Sequence, residues 1–141
     1  MIGRGIRDVK SIVVKLTKKS TTDEVDFVPD ALRIAHAAWS FKAKRIKAYD
    51  MRGLSMVSDC FVMCSATSDP QLKAIYNGVK DTMREVGVRP IKAEGSFDSN
   101  WLVLDYGNIM VHIFRESAWE FYDLEGLWAD AIEIDLDLEE D

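Results

Sequence analysis

The chain has few of the residues that would tie it to catalysis or to an oxidising compartment. Only two cysteines and two histidines occur in 141 residues. Cys60 and Cys64 stand four positions apart, about 13 Å along a strand, which is too far for a disulfide; they are expected as buried thiols in a reducing compartment. No CxxC pair, zinc spacing, phosphate loop or nucleophile elbow is present, so metal, nucleotide and covalent chemistry lack their usual carriers. No apolar run approaches the roughly 20 residues of a membrane span, and no secretory pattern opens the chain. No internal repeat is evident.

What is present describes one globular domain. Apolar residues make up 48% and charged residues 30%, ordinary values for a soluble fold of this length. Charge is uneven. Residues 1–48 hold 11 Lys/Arg against 5 Asp/Glu, and residues 49–141 hold 7 against 19. An acidic body is a poor general binder of DNA or RNA, because that binding rests on cations displacing counterions from phosphates. A basic protein surface is the better match.

Residues 1–29 read as a basic extension and linker. Ile2, Ile6, Val9, Val13 and Leu16 follow a helical spacing, with Arg4, Arg7, Lys10, Lys15, Lys18 and Lys19 on the polar side. A poorly ordered extension is the plain reading, with a transit peptide or an RNA-touching arm as functional alternatives. The domain is expected over residues 30–131, starting with a helix from Pro29-Asp30 to about residue 44, Asp30 as its N-cap and Leu32, Ala35, Trp39 and Ala43 as its apolar stripe. His36 is expected on that helix surface, and Lys42, Lys44, Arg45 and Lys47 as a solvated basic run. Residues 45–51 and 60–65 read as two antiparallel strands. A long helix follows to about residue 85, with Ser68 as N-cap, Leu72, Ile75, Val79 and Met83 buried, and Gly87 closing it. Residues 89–93 read as a short third strand. After the last strands, residues 117–121 suggest a helical turn and 122–131 a final helical segment using Leu124, Leu127 and Trp128. Residues 132–141 form an acidic tail with six acids in its last nine residues, expected to be mobile.

Residues 101–114, WLVLDYGNIMVHIF, organise the rest. Gly107-Asn108 suits a two-residue hairpin turn with glycine first. Tyr106 then faces Ile109, Leu104 faces Val111 and Leu102 faces Ile113, giving one wholly apolar side. The other side carries Trp101, Val103, Asp105, Met110, His112 and Phe114. Such a patch is costly in water, so either a helix of the same chain covers it or a partner docks there. An acid–base role for His112 with Asp105 lacks a placed nucleophile. A metal-dependent nucleotidyltransferase would have to be assembled from Gly53, Ser55, Asp50 and Asp59, without the usual Asp-x-Asp pair. A third alternative is an acidic interaction domain that binds some other basic protein.

The hairpin, together with Glu120-Phe121-Tyr122-Asp123-Leu124-Glu125, Leu127-Trp128-Ala129-Asp130-Ala131, Asp59-Cys60-Phe61-Val62-Met63-Cys64-Ser65, Thr67-Ser68, Gln71 and Glu94-Gly95, resembles the ribosomal silencing factor family, also called RsfS or Iojap. The resemblance implies an α/β (α+β) domain with a nucleotidyltransferase-like mixed sheet of about five strands and flanking helices. It implies no enzyme activity, cofactor or metal. It further implies a repressor of translation that binds the large ribosomal subunit through its protein number fourteen and blocks the small subunit from joining; a cytoplasmic place is expected, or a mitochondrial or plastid matrix if the N-terminal segment is a transit peptide. Self-association as a homodimer is a further implied contact. The implied partner-binding residues are Trp101 and Leu102 first, then Leu104, Tyr106 and the Glu94-Gly95 approach. Alternation along the strand places Leu102 inward, which conflicts with a direct contact.

Overall fold

The computed structural model describes residues 26–95, 100–122, 131–136 and 138. Expectations for residues 1–25 of the basic segment, for loop residues 96–99, for the helical segment of Leu124, Leu127 and Trp128, and for the last acids lie outside those residues.

Helix α1 (Val28–Ser40) begins earlier than expected because Pro29 fits its first turn, where a missing N–H costs nothing. Asp30 is therefore not the cap. It lies in the first turn, 2.8 Å from Arg33, while the Asp26 carboxylate accepts from the Val28 N–H at 3.1 Å. The helix stops short of Lys44 because Lys42 takes φ 66 and the Ala43 N–H turns back to the Ala38 carbonyl at 3.1 Å. Its buried face is also rotated from the expected stripe: Ala31, Ile34, Ala35, Ala37 and Ala38 are buried, whereas Trp39 is 41% exposed. Small alanines let the helix backbone lie close to its neighbours, and the larger Leu32 and Trp39 move to the margin. His36 is on the surface, as expected.

Helix α2 (Asp69–Glu85) has the caps the sequence called for. The Ser68 hydroxyl accepts from the Gln71 N–H at 3.2 Å. At the other end Gly87, at φ 81, donates to Arg84 O and Val88 donates to Met83 O, both at 2.9 Å, closing the last carbonyls. Leu72, Ile75, Val79 and Met83 are all buried.

The strands are β1 (Lys44–Asp50), β2 (Cys60–Ala66), β3 (Lys92–Glu94), β4 (Trp101–Asp105), β5 (Ile109–Arg115) and β6 (Ile132–Ile134), with helix α3 (Glu116–Tyr122) following β5. They form one mixed six-stranded sheet in the order β3-β4-β5-β2-β1-β6, in which only β2 and β5 run parallel. The first two strands pair antiparallel, as expected. Both α1 and α2 cover one face. There Cys60, Val62, Cys64, Leu102, Leu104, Tyr106, Ile109, Val111 and Ile113 join the helices in the main core. Central β2 is buried along its whole length, which accounts for its continuous apolar run. Cys60 and Cys64 are buried free thiols, and burial pushes the Cys64 thiol up to about 12.

Strand β6 was not expected. Six acids masked a period-two signal, Ile134, Leu136 and Leu138, which settles against the main core while Glu133 faces Lys47 at 3.3 Å. Its pairing with β1 covers the edge that β1 would otherwise expose. If Ile134 is core, Ile134→Ala should lower unfolding free energy by about 2–4 kcal/mol in urea denaturation. A loss below about 0.5 kcal/mol, typical of a surface site, would return the segment to a mobile tail.

Candidate functional site

The hairpin sets the geometry. Gly107 takes φ 91, and the Tyr106 N–H donates to Ile109 O at 2.8 Å, closing a two-residue turn. The resulting register places Trp101 opposite Phe114, Leu102 opposite Ile113, Val103 opposite His112 and Asp105 opposite Met110. Two faces separate cleanly. Leu102, Leu104 and Tyr106 are 2%, 0% and 8% exposed, all turned toward α1 and α2. All three side chains are spent on the main core, where they hold the strand from behind. Burial raises the Tyr106 hydroxyl to about 12, with Tyr76 adding to the effect.

Trp101 lies on the second face and is half-buried. Its ring is 4.9 Å from Phe114 and 6.0 Å from His112 between centroids, and its indole N–H donates to His112 Nδ1 at 3.2 Å. His112 also stacks on Phe114 at 6.1 Å and meets the edge of Phe61 at 4.6 Å. Burial lowers its pKa from the ordinary 6.5 to about 4, so at neutral pH it is uncharged and Nδ1 is free to accept.

Helix α3 covers one end of this face. Ala118 and Trp119 pack on Phe114 and Met63 in a second, smaller core, with Tyr49 and Trp101 at its margin. The helix is pinned at its first residue: the Ser65 hydroxyl donates to the Glu116 carboxylate at 2.7 Å, with Arg45 3.6 Å from the same group and 5.3 Å above the Trp119 ring. A bulge at Arg45, φ 53, places that side chain there, so it is not simply a solvated cation. Cover by the chain's own helix therefore accounts for Phe114, at 0% exposure. Trp101, Val103, Asp105 and Met110 are half-buried, the part of this hairpin face that is not fully covered among the described residues.

The approach to Trp101 is sterically tight. Gly95 sits at φ 94, and a Cβ there would lie 2.5 Å from the Trp101 carbonyl oxygen, so only glycine lets the chain pass under the strand. Glu94 is exposed but already engaged, 3.0 Å from Lys92. Asp105 accepts from the Gly107 N–H at 2.8 Å and makes no pair with His112.

Asp50 and Asp59 lie near each other beside Cys60, but the groups a nucleotidyltransferase site would use are already engaged. Asp50 is buried and accepts from the Arg52 backbone N–H, Nε and Nη2 at 2.9–3.0 Å, so its charge is already satisfied. Around Gly53, the amides of Leu54 and Ser55 both donate to Met51 O at 2.9 Å, leaving neither for a phosphate. Among the described residues no group of three His, Cys, Asp or Glu is placed to hold a metal ion.

The family model described as "Ribosomal silencing factor during starvation" matches residues 24–141. This chain belongs to the ribosomal silencing factor family. A ribosomal silencing factor of Bacillus subtilis is 42% identical over 107 residues, which cover 75% of this chain and 91% of that protein. The chloroplastic Iojap protein of maize is 31% identical over 117 residues, with this chain spanning half of its length. A crystal structure from Chromobacterium violaceum matches with a TM-score of 0.70 at 26% identity, covering 74% of this chain and 88% of that one. In this ribosomal silencing factor fold, as in its relatives by name, a role in ribosome silencing and translation regulation follows from membership. No helix among the described residues is long and apolar enough to cross a membrane.

The Trp101–His112 contact could have been found by hairpin arithmetic, since diagonal neighbours on an antiparallel pair lie within reach of long side chains. Asp105 and Trp101 flank His112 on its two diagonals. The turn amide claims the first, which leaves the second. Because His112 binds its proton near pH 4 when folded and near 6.5 when unfolded, the unfolded chain binds more protons in between, and stability should rise with pH across that window. The contribution is on the order of 3 kcal/mol. Denaturant melts at pH 4.5 and 7 should diverge by that order in the wild type and much less in His112→Asn; equal divergence would remove His112 as the cause.

Proposed function

We propose that the protein represses translation without catalysis, by docking on the large ribosomal subunit through that subunit's protein number fourteen and so preventing the small subunit from joining. The observation that carries this reading is Trp101: a half-buried tryptophan held on an aromatic platform, at the open margin of a face that the chain's own helix covers only in part. Tryptophan is favoured at the centres of protein interfaces, where a rigid side chain buries much apolar area at small entropic cost. Half-buried Val103 and Met110 extend the apolar patch, and Asp105 with the acidic C-terminal half suits a basic ribosomal protein. Glu94 and Gly95 form the approach to this site. Leu102, Leu104 and Tyr106 contribute by fixing the strand, because their side chains are in the core. The proposed place of action is the cytoplasm, with an organelle matrix as the setting if residues 1–29 act as a transit peptide.

The test should use Trp101 alone. Leu102→Ala would empty a core position and cost about 2–5 kcal/mol, confusing lost binding with lost fold. Trp101→Ala should weaken co-sedimentation with isolated large subunits by about 30-fold or more, a hot-spot loss of about 2 kcal/mol, with small subunits as the negative control. In a subunit-joining assay followed by sucrose gradients, the wild type should reduce the joined fraction and Trp101→Ala should not. Unchanged sedimentation of a folded Trp101→Ala protein would remove this surface from the docking site.

A further inference from the structure

A histidine among aromatic rings is a poor choice for packing alone. Burying an imidazole costs free energy unless its nitrogens find partners, and a phenylalanine would fill the space between Phe61 and Phe114 without that cost. The position does make one contact that no apolar ring could make: Nδ1 accepts the Trp101 indole N–H at 3.2 Å. His112 is 5% exposed and belongs to central strand β5, whereas Trp101 is half-buried at the first residue of β4, beside an approach that Gly95 alone fits. One partner of the bond is therefore fixed and the other is at an open margin.

We infer that His112 is a positioning residue for docking, its Nδ1 holding the Trp101 indole in the one orientation that presents the ring to the partner. The role rests on the docking proposed above. Without the bond, Trp101 keeps its ring contacts but loses the directional contact that fixes its indole N–H edge, and binding must then restrict what the fold had already restricted. A preorganised anchor binds more tightly than a free one that makes the same contacts. His112 itself, beneath the surface, need not touch the partner.

The test compares the full-length wild type, His112→Phe, His112→Asn, Trp101→Phe, the double variant Trp101→Phe with His112→Phe, and Trp101→Ala. Each is measured for affinity to isolated large subunits and for the indole N–H resonance of Trp101, assigned by its disappearance in Trp101→Phe. His112→Phe keeps the aromatic volume and removes the acceptor; it should weaken binding about tenfold and move the indole resonance. His112→Asn, whose side-chain oxygen can stand near the place of Nδ1, should recover most of the affinity and return the resonance toward its wild-type position. In the Trp101→Phe background, which has no donor, His112→Phe should change affinity less than twofold. Wild-type affinity in His112→Phe, or the same weakening in both backgrounds, overturns the inference. Where His112→Phe does not fold, His112→Leu replaces it with the same expected outcomes. If Trp101→Ala binds as the wild type does, the docking surface itself fails and this role fails with it. If Trp101→Ala loses binding while His112→Phe keeps it, only the role of His112 is lost.

Discussion

A two-residue turn with glycine at φ 91 sets the register on which the rest of the sheet depends. Side chains alternate across a strand, so a slip of one residue would exchange the two faces of β4 and β5 completely. With the turn as it is, Leu102, Leu104, Val111 and Ile113 meet the helices, and Trp101, His112 and Phe114 meet the other side. Strand β5 then pairs with β2 in parallel, linking the hairpin to the earlier strands. The main core and the candidate docking surface are thus two consequences of one constraint.

The second face shows how a chain can cover an apolar patch and still leave part of it for use. Helix α3 follows β5 without a loop, and its first residue, Glu116, is held by Ser65 and Arg45. That pins the helix over Phe114 and Met63, where burial gives the most, and leaves Trp101 at its margin with Val103 and Met110 half-buried. Of the two explanations for the patch, the covering helix accounts for Phe114, and the docking proposed above concerns the half-buried remainder. The leftover margin is small, so its affinity has to come from a well-placed anchor more than from area.

Much of the fold was legible because its signals are local. Ser68 and Gly87 bracket α2 by capping chemistry that works within a few residues, and the stripe from Leu72 to Met83 needs only helical period. The buried run of β2 and the hairpin register followed from equally short-range rules. Where expectation and structure differ, a distant neighbour decided. Helix α1 turned its alanines inward, toward the main core it shares with α2 and the sheet. The acidic segment became β6 because β1 offered an open edge and the core had room for Ile134 and Leu136. Charge composition carries no information about either.

The same division runs through the site. From the sequence alone came the family, the importance of residues 101–114, and the conflict over Leu102, since residue identities and period two are enough for those. Tertiary structure placed Leu102 in the core and Trp101 at the margin, spent Asp105 on the turn and Asp50 on Arg52, and gave His112 the indole of Trp101 as a partner. Those outcomes depend on which groups meet across strands and on how much water reaches them. Distance and burial exist only once the chain has folded.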